Sequence, residues 1–226
     1  FTYSAGGNVY YDTSKFKKYG KFARLDLTAE TKSRVEADKN KKNPHDFVLW
    51  FTKSKFDEQA MKWESPFGTG YPGWHIECSA MASKYLGERF DIHCGGIDHI
   101  SVHHTNELAQ SEAAFGKKWV QVWMHNEFLV LPKNEKMSKS SGNFLTLSSL
   151  EFDPLDYRYF CLGTQYRNPL MYSTKALEGA RTARKRLFDR TLEIKESGGK
   201  CVPEYLNKFM EEINDDLNTA KCLATM

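Results

Sequence analysis

The chain has 226 residues, of which 40% are apolar and 27% charged, and its formal net charge is +3 at pH 7. This composition is typical of a soluble globular protein with one or two domains, and it argues against a disordered or fibrous chain. No apolar run approaches the roughly 20 residues of a membrane-spanning helix, and the first residues lack the pattern of a signal peptide. Five scattered cysteines without a CxxC pair favour a reducing, cytoplasmic setting over a disulfide framework.

Strand and helix patterns alternate through the first part of the chain. Strands are predicted at residues 8–11, 47–51, 90–93 and 119–123, and helices at residues 74–85 and 102–115. The continuous apolar run FVLWF at 47–51 is typical of a strand buried on both faces of a parallel sheet. The alternation predicts an α/β fold with a parallel sheet and right-handed crossovers.

The later part of the chain has helical patterns. Helices are predicted at residues 154–163, 174–195 and 204–226, the last interrupted near residues 214–216. We therefore predict three regions: a connective insertion segment at 1–44, an α/β domain at 45–148 and a helical region at 149–226. Because the chain opens on strand-like sequence without an initiating Met, we expect it to begin inside a longer protein.

Basic residues concentrate in two stretches, residues 15–42 and 181–190. Such clusters attract phosphate groups, but they are as typical of solvated faces, so this pattern leaves nucleic-acid binding open. A more informative basic motif is KMSKS at residues 136–140, where two lysines stand beside serines on a loop followed by glycine. It predicts a loop that closes over a polyphosphate, although on chemistry alone a solvated turn fits the same residues.

The KMSKS motif resembles the second signature of class I aminoacyl-tRNA synthetases. Three further stretches resemble cysteinyl-tRNA synthetases specifically: GWHIECSAM at 73–81, DIHCGGIDHISVHHTNELAQS at 91–111 and WMHNEF at 123–128. TQYRNPLMYS at 164–173 and DDLNTA at 215–220 resemble the helices that follow that family's catalytic domain. The resemblance implies the second half of a Rossmann-type parallel-sheet catalytic domain, followed by an all-α helical region.

The resemblance also implies a reaction, in which ATP and L-cysteine form cysteinyl-adenylate and the cysteinyl group then moves to tRNA(Cys). Lys136 and Lys139 are then the catalytic residues, and Lys139 stabilises charge on the departing pyrophosphate. Asp98 and His125 join Lys139 as candidate ATP-binding residues, with Mg²⁺ accompanying ATP. Asp98 follows a predicted strand at the end where open α/β sheets bind ligands.

The same family holds one Zn²⁺ at the bottom of its amino-acid pocket, and motif position implies Cys78, His103 and Glu107 as ligands here. Judged as residues alone, His103 and Glu107 stand at i and i+4 on one predicted helix face, and all three residue types ligate zinc. A packed cysteine beside a solvated His–Glu contact fits the same residues. A zinc-bound thiolate would separate cysteine from serine without a proofreading domain.

Three residues of the same stretches are candidate substrate-binding residues: Trp74, His75 and His93. In the family, histidines at these positions line the pocket and can orient the metal ligands. Each of the three is also common as an ordinary packed side chain.

The sequence departs from the family pattern in several places. It contains no HIGH-like first signature and no counterpart of the family's fourth zinc ligand, a cysteine. Cys94 stands where the family has glycine, and His99 lies in a stretch that is rich in aliphatic residues. Either residue could therefore change the set of zinc ligands. Glu127 replaces a glycine, and the sequence offers no account of that change.

From these features we expect a cytoplasmic, monomeric cysteine–tRNA ligase, present here as an incomplete catalytic unit, whose partners are Zn²⁺, ATP, L-cysteine and tRNA(Cys) and which contacts no membrane. A paralogous ligase that couples cysteine to an amino sugar would use the same zinc and KMSKS chemistry. A non-catalytic RNA-binding module would keep only the fold, and the intact KMSKS motif and ligand set argue against it.

Overall fold

The computed structural model describes residues 1–27, 38–54, 59, 61–132, 135–136, 146–194 and 201–226. Its backbone separates into two compact units, Phe1–Met124 and His125–Met226. The division of the sequence at residues 44 and 148 stays a prediction. No helix in the described ranges is both long and apolar enough to cross a membrane.

A four-stranded antiparallel sheet forms one side of the first unit. Its strands lie in the order β1 (Thr2–Ala5), β2 (Asn8–Tyr11), β3 (Phe47–Phe51) and β4 (Tyr71–Pro72). Strand β3 is the predicted apolar run, but both of its neighbours run antiparallel to it and only Phe47 in it is buried. The predicted burial of this run in a parallel sheet is therefore wrong, because an apolar run predicts a partly buried strand but not the direction of its partners.

The rest of the first unit alternates helices and strands close to the predicted ranges. The elements are α1 (Trp74–Leu86), β5 (Phe90–Gly96), α2 (Thr105–Phe115) and β6 (Val120–Asn126), the last two residues of which belong to the second unit. Strand β5 pairs with β6. Between β5 and α2 the chain forms a 3₁₀ turn (Ile97–His99) and then a π-helical turn (Ile100–His104), where the sequence pattern predicts a simple helix from residue 102.

Glycine allows α1 to begin directly against β3. The Gly73 N–H donates to the carbonyl of Leu49 at 2.8 Å. A Cβ on Gly73 would lie 2.0 Å from the carbonyl oxygen of Val48, so any side chain would push α1 away from the sheet. This contact fixes the start of α1 and so the position of Cys78 one turn later.

Two tyrosine hydroxyls, one of them from strand β2, donate hydrogen bonds to α2. Tyr11, buried in a cluster with Phe47 and Ala109, donates its hydroxyl to the Ala109 carbonyl at 2.9 Å. Tyr19 donates to the Asn106 side chain at 2.7 Å. Because buried hydroxyl groups must be paired, these bonds fix α2 in position as well as satisfying the tyrosines.

The second unit combines a small sheet with four described helices. Strand β7 (Leu129–Leu131) lies between β8 (Glu135–Lys136), its antiparallel neighbour, and β9 (Leu170–Met171), its parallel neighbour. The helices are α3 (Pro154–Leu162), α4 (Thr174–Glu193), α5 (Pro203–Asn214) and α6 (Thr219–Thr225). The predicted helical pattern is confirmed, including the interruption after residue 214.

One buried carboxylate joins α3 to α4. Asp156 is fully buried, and Arg184 donates its Nε–H to it at 2.6 Å. Arg181 lies 3.6 Å from the other carboxylate oxygen. Two arginines of the basic stretch 181–190 therefore pair with a carboxylate inside the second unit.

Candidate metal centre

Cys78, His103 and Glu107 come together in the first unit. One ligand atom from each lies within 4.8 Å of the other two. Helix α1 supplies Cys78, the π-helical turn supplies His103 and α2 supplies Glu107. The convergence depends on α1 packing beside α2, which the sequence pattern alone does not reveal.

The π-helical turn brings two consecutive histidines to the same carboxylate. His103 and His104 are 5% and 2% exposed. His103 Nε2 lies 3.5 Å from Glu107 Oε1, and His104 Nε2 lies 3.9 Å from Glu107 Oε2. A wider helical turn of this kind is frequent at functional sites. Here each imidazole faces a different oxygen of Glu107.

Glu107 is fully buried, and only one of its oxygens makes a hydrogen bond of normal length. Its Oε2 lies 2.9 Å from Nε2 of His93. Its Oε1 has no hydrogen-bond partner among the described residues. A buried carboxylate oxygen without a partner is costly unless a cation or a proton satisfies it. Because Oε1 is the oxygen nearest His103, the donor set fits a metal ion at this point.

His75 forms a hydrogen bond with the ring nitrogen of His103 that faces away from Glu107. The Nδ1 atoms of His75 and His103 are 2.9 Å apart, so the protonated Nδ1 of one ring donates a hydrogen bond to the unprotonated Nδ1 of the other. Burial, and then the charge of His103, lowers the pKa of His75 to about 3. Burial also lowers the pKa of His103, although Glu107 opposes that shift. Both imidazoles are therefore neutral near pH 7, which is the form that ligates metals. With Nε2 of His103 as the ligand atom, Nδ1 of His103 donates to His75.

Cys78 is half-buried beside the Glu107 carboxylate. Burial, and then the charge of Glu107, raises the pKa of its thiol. A second anion is thus disfavoured here unless a cation is present. Metal binding would displace the thiol proton, since the thiolate is the ligand form of cysteine.

A second group of possible ligands shares Glu107. His93, His104 and Glu107 also place one ligand atom each within 4.8 Å of the others. His104 is absent from the sequence-based candidates, although the adjacent histidines at 103 and 104 were a signal. Its ring lies so close to β5 that a Cβ on Gly95 would be 2.5 Å from His104 Cε1. Gly95 is therefore required for the imidazole to reach Glu107.

Gln110 and Ser79 connect the two helices behind the site, and sequence reasoning missed both. Gln110 Nε2 donates to the His75 carbonyl at 2.7 Å and to Ser79 Oγ at 2.6 Å. All three residues are buried. This contact holds His75 on α1 against α2, where His75 meets His103.

The predicted substrate-binding residues surround the same cluster. The Trp74 indole stacks on the His103 ring with centroids 4.2 Å apart, while 56% of Trp74 is exposed. His75 and His93 contact His103 and Glu107 directly. Trp74 can therefore form one side of a solvent-open path to the cluster. His75 and His93 contact the candidate ligands by hydrogen bonds to His103 and Glu107.

Other predicted residues near the cluster lie at its edge. Asp98 is exposed on the 3₁₀ turn, with Oδ1 3.8 Å from Nδ1 of His99. Cys94 is exposed on β5. Neither Cys94 nor His99 belongs to the two possible ligand groups found in the described ranges.

The remaining predicted residues belong to the second unit. His125 is half-buried on β6, and the backbone of Lys136 ends β8. Lys139 lies outside the described residues. Glu127 shapes the turn between β6 and β7, because its carboxylate accepts the Phe128 N–H at 3.2 Å.

The sequence comparisons identify the family. The family model for the tRNA synthetases class I (C) catalytic domain matches residues 1–182. The chain belongs to this family. A Cysteine--tRNA ligase from Treponema denticola is 61% identical over 256 residues, covering 100% of this chain and 51% of the relative. A Cysteine--tRNA ligase from Borrelia garinii is 46% identical over 247 residues, with the same two coverages. This class I synthetase chain thus spans about half the length of the curated relatives it matches.

A solved structure supports the fold of this synthetase chain. The LeuRS of Agrobacterium radiobacter K84, in a ternary complex with tRNA and LeuAMS, matches with a TM-score of 0.51 and 15% sequence identity. The match covers 78% of this chain and 30% of the LeuRS. At this identity the likeness shows an α/β fold shared within the class, and no more.

Proposed function

We propose that the complete protein is a cysteine–tRNA ligase, which activates L-cysteine with ATP and Mg²⁺ and transfers the cysteinyl group to tRNA(Cys). The observation that carries the proposal is the convergence of Cys78, His103 and Glu107, with one oxygen of the buried Glu107 carboxylate making no hydrogen bond among the described residues. Relatives at 61% and 46% identity that bear the name Cysteine--tRNA ligase support it.

Zn²⁺ is the metal that this donor set fits, because thiolate, imidazole and carboxylate are its usual protein ligands. When bound, zinc would supply a soft site that holds the substrate as its thiolate. Cys78, His103 and Glu107 hold the ion, His75 and His93 orient the ligands, and Trp74 walls the approach. A site that requires one particular bond can discriminate by roughly 10⁴ or more, which is enough to reject serine.

The ATP-binding residues of the proposal are Asp98, His125, Lys136 and Lys139. In a class I catalytic domain of Rossmann type, this chain would supply the later half of the sheet and the KMSKS loop. Lys139 would stabilise charge on the pyrophosphate as it departs. Membership of the class I family supports this assignment. We further propose a cytoplasmic monomer.

Replacing Cys78 tests the proposal. In the complete protein, Cys78→Ser should lower zinc content and raise the KM for cysteine by about tenfold or more, because a hydroxyl is a poor zinc ligand at neutral pH. The measurements are zinc stoichiometry and cysteine-dependent exchange of pyrophosphate into ATP. The matched control is Cys94→Ser, an exposed cysteine outside both ligand groups.

Two results would contradict the proposal. Unchanged zinc stoichiometry and cysteine KM in Cys78→Ser would remove Cys78 from the site. Transfer of activated cysteine to an amino sugar, with none to tRNA(Cys), would replace the ligase proposed here by its paralogue.

A further inference from the structure

The first unit contains a cavity of about 690 Å³ beside the C-terminal part of α2. This volume lies within the range of small-molecule pockets, roughly 300–1,000 Å³. Leu108 and Glu112 line the cavity from α2. Because successive helical residues turn by about 100°, these two side chains stand on another face of the helix from Glu107. None of the candidate metal ligands lines the cavity, so it is a separate feature of the unit.

Three aromatic rings form apolar walls of the cavity: Phe1, Phe16 and Phe22. Each ring is supported by other side chains of the fold. Phe1 stacks on Tyr11 with ring centroids 6.1 Å apart, and Phe16 packs against the buried cluster that contains Tyr11. The Phe22 ring lies 5.0 Å from the Trp123 ring. The walls are therefore preformed, as is usual for ligand pockets.

Lysines give the cavity an excess of positive charge. Four of them line it, against one acidic residue in the described lining, Glu112: Lys18, Lys21, Lys117 and Lys118. Lys117 pairs with Glu88 at 2.7 Å. Lys118 donates to the Gln121 carbonyl at 3.0 Å. Within the described ranges, the side chains of Lys18 and Lys21 make neither a hydrogen bond nor an ion pair, so both can take an anionic ligand.

The segment that carries Lys18 and Lys21 is held in place on α2. Tyr19, between them, is buried and donates its hydroxyl to the Asn106 side chain at 2.7 Å. The Lys21 N–H donates to the Lys18 carbonyl at 3.1 Å. Gly20 has a φ of 77°, a conformation that glycine adopts readily. The backbone of both lysines is thus fixed beside the cavity, which lowers the entropic cost of binding a ligand there.

We propose that this cavity binds a nucleotide, with the phosphate at Lys18 and Lys21 and the base against the phenylalanine rings. Lysine ammonium groups suit phosphate, and bases of any identity stack on aromatic side chains. An acidic peptide would satisfy the lysines but would leave the aromatic walls without a flat partner. The nucleotide is either free or part of a single-stranded RNA, since the same contacts serve both. The inference goes beyond the proposed function, because none of these residues has a role in cysteine activation.

Binding of uridine monophosphate to the complete, zinc-loaded protein tests the inference. A cysteinyl-sulfamoyl-adenosine analogue occupies the proposed catalytic site, so that calorimetry reports the cavity. We expect one uridine monophosphate per chain, and weaker binding of uridine or inorganic phosphate, because each supplies only part of the contacts.

Substitutions in the lining should change this affinity in opposite directions. The double variant Lys18→Ala/Lys21→Ala should weaken it by roughly 10-fold or more, because the phosphate loses its charged partners. Phe22→Ala should weaken it by roughly 5-fold or more, through loss of stacking. Glu112→Gln should tighten it by about twofold or more, since a negative charge is removed. The matched control is Lys15→Ala/Lys17→Ala, which removes the same charge from the same stretch outside the cavity.

Three outcomes would overturn the inference. They are no binding to the wild-type protein, full binding to Lys18→Ala/Lys21→Ala, and an equal loss in the control pair. Binding of a glutamate-rich peptide without any binding of uridine monophosphate would replace the nucleotide by an acidic partner and overturn it as well.

The source of the nucleotide follows from the same double variant. A raised KM for tRNA(Cys) with unchanged cysteine-dependent pyrophosphate exchange would support the inference and assign RNA, whereas an unchanged KM with lost uridine monophosphate binding would support it and assign a free nucleotide. Because calorimetry requires no aminoacylation, absence of ligase activity would overturn the proposed function and leave this inference standing.

Discussion

The two units of this chain use polar groups in opposite ways. Among the described residues, buried polar side chains concentrate in the first unit, and Asp156 is the single example in the second. Ion pairs of the second unit, such as that of Arg167 with Asp216, are largely exposed. Burying a polar group costs free energy unless it is fully paired. The concentration around Glu107 is therefore what the proposed metal site would require, whereas the second unit uses its charges to hold helices and turns in place.

Removing Asp156 should give the largest effect on stability. In Asp156→Ala, Arg184 loses its buried carboxylate partner and keeps only the exposed Asp153 carboxylate at 3.5 Å, so the free energy of unfolding should fall by about 3 kcal/mol. The measurement is urea unfolding of the complete protein. Asp153→Ala is the control, because its half-exposed carboxylate mainly caps α3 and should cost about 1 kcal/mol. Equal losses in the two variants, or a loss of zinc in Asp156→Ala, would contradict the contrast between the units.

Glu107→Gln should weaken zinc binding while leaving the stability of the metal-free protein nearly unchanged. It removes the buried charge that the proposed metal neutralises, so zinc affinity should fall by more than about 100-fold, the upper range for residues that only support ligands. Unfolding without metal should change little, because the amide is nearly isosteric. Competition with a chromophoric chelator measures the affinity, and Glu112→Gln, on the same helix but outside both ligand groups, is the control. Wild-type zinc affinity in Glu107→Gln would show that the cluster is structural.

A smaller, pH-dependent effect should come from Asp46, also in the first unit. Burial tends to raise its pKa, but hydrogen bonds from Thr13, Tyr3 and Asn43 outweigh it and hold the pKa below the usual range of an aspartate. The unfolded chain therefore binds the proton more tightly, so the stabilisation is present above the unfolded pKa and is lost as pH falls through the folded one. The slope cannot exceed about 1.4 kcal/mol per pH unit for one proton. Asp46→Asn should make the free energy of unfolding less dependent on pH below neutrality. An unchanged pH dependence would show that Asp46 does not cause it.

Much of the fold was predictable, because local patterns carry it. The predicted strand at residues 8–11 coincides with β2, and helix α1 begins at Trp74 as predicted. Apolar spacing reports which face of an element is buried, but it carries no information on strand partners. This is why β2 and β3 were predicted as strands but their antiparallel pairing was not.

The candidate site was predictable through resemblance, and only in part. The pattern placed Cys78, His103 and Glu107 in one group, and the structure brings them within 4.8 Å. It did not reveal His104, because the π-helical turn that buries it alongside His103 has no distinct sequence period.

A single one-residue deletion in the π-helical turn Ile100–His104 would be enough to remove the candidate metal centre. Such a turn contains one residue more than an α-helical turn between the same hydrogen-bonded groups. An in-frame deletion of one codon at 100–102 could be absorbed as an ordinary turn, with α2 still anchored at Ala109. Strand β5 and α2 would then keep their places, while His103 and His104 would no longer be presented to Glu107 by the wider turn. The fold would persist in such a variant while the proposed metal site was lost, and a single-codon insertion would be the reverse event.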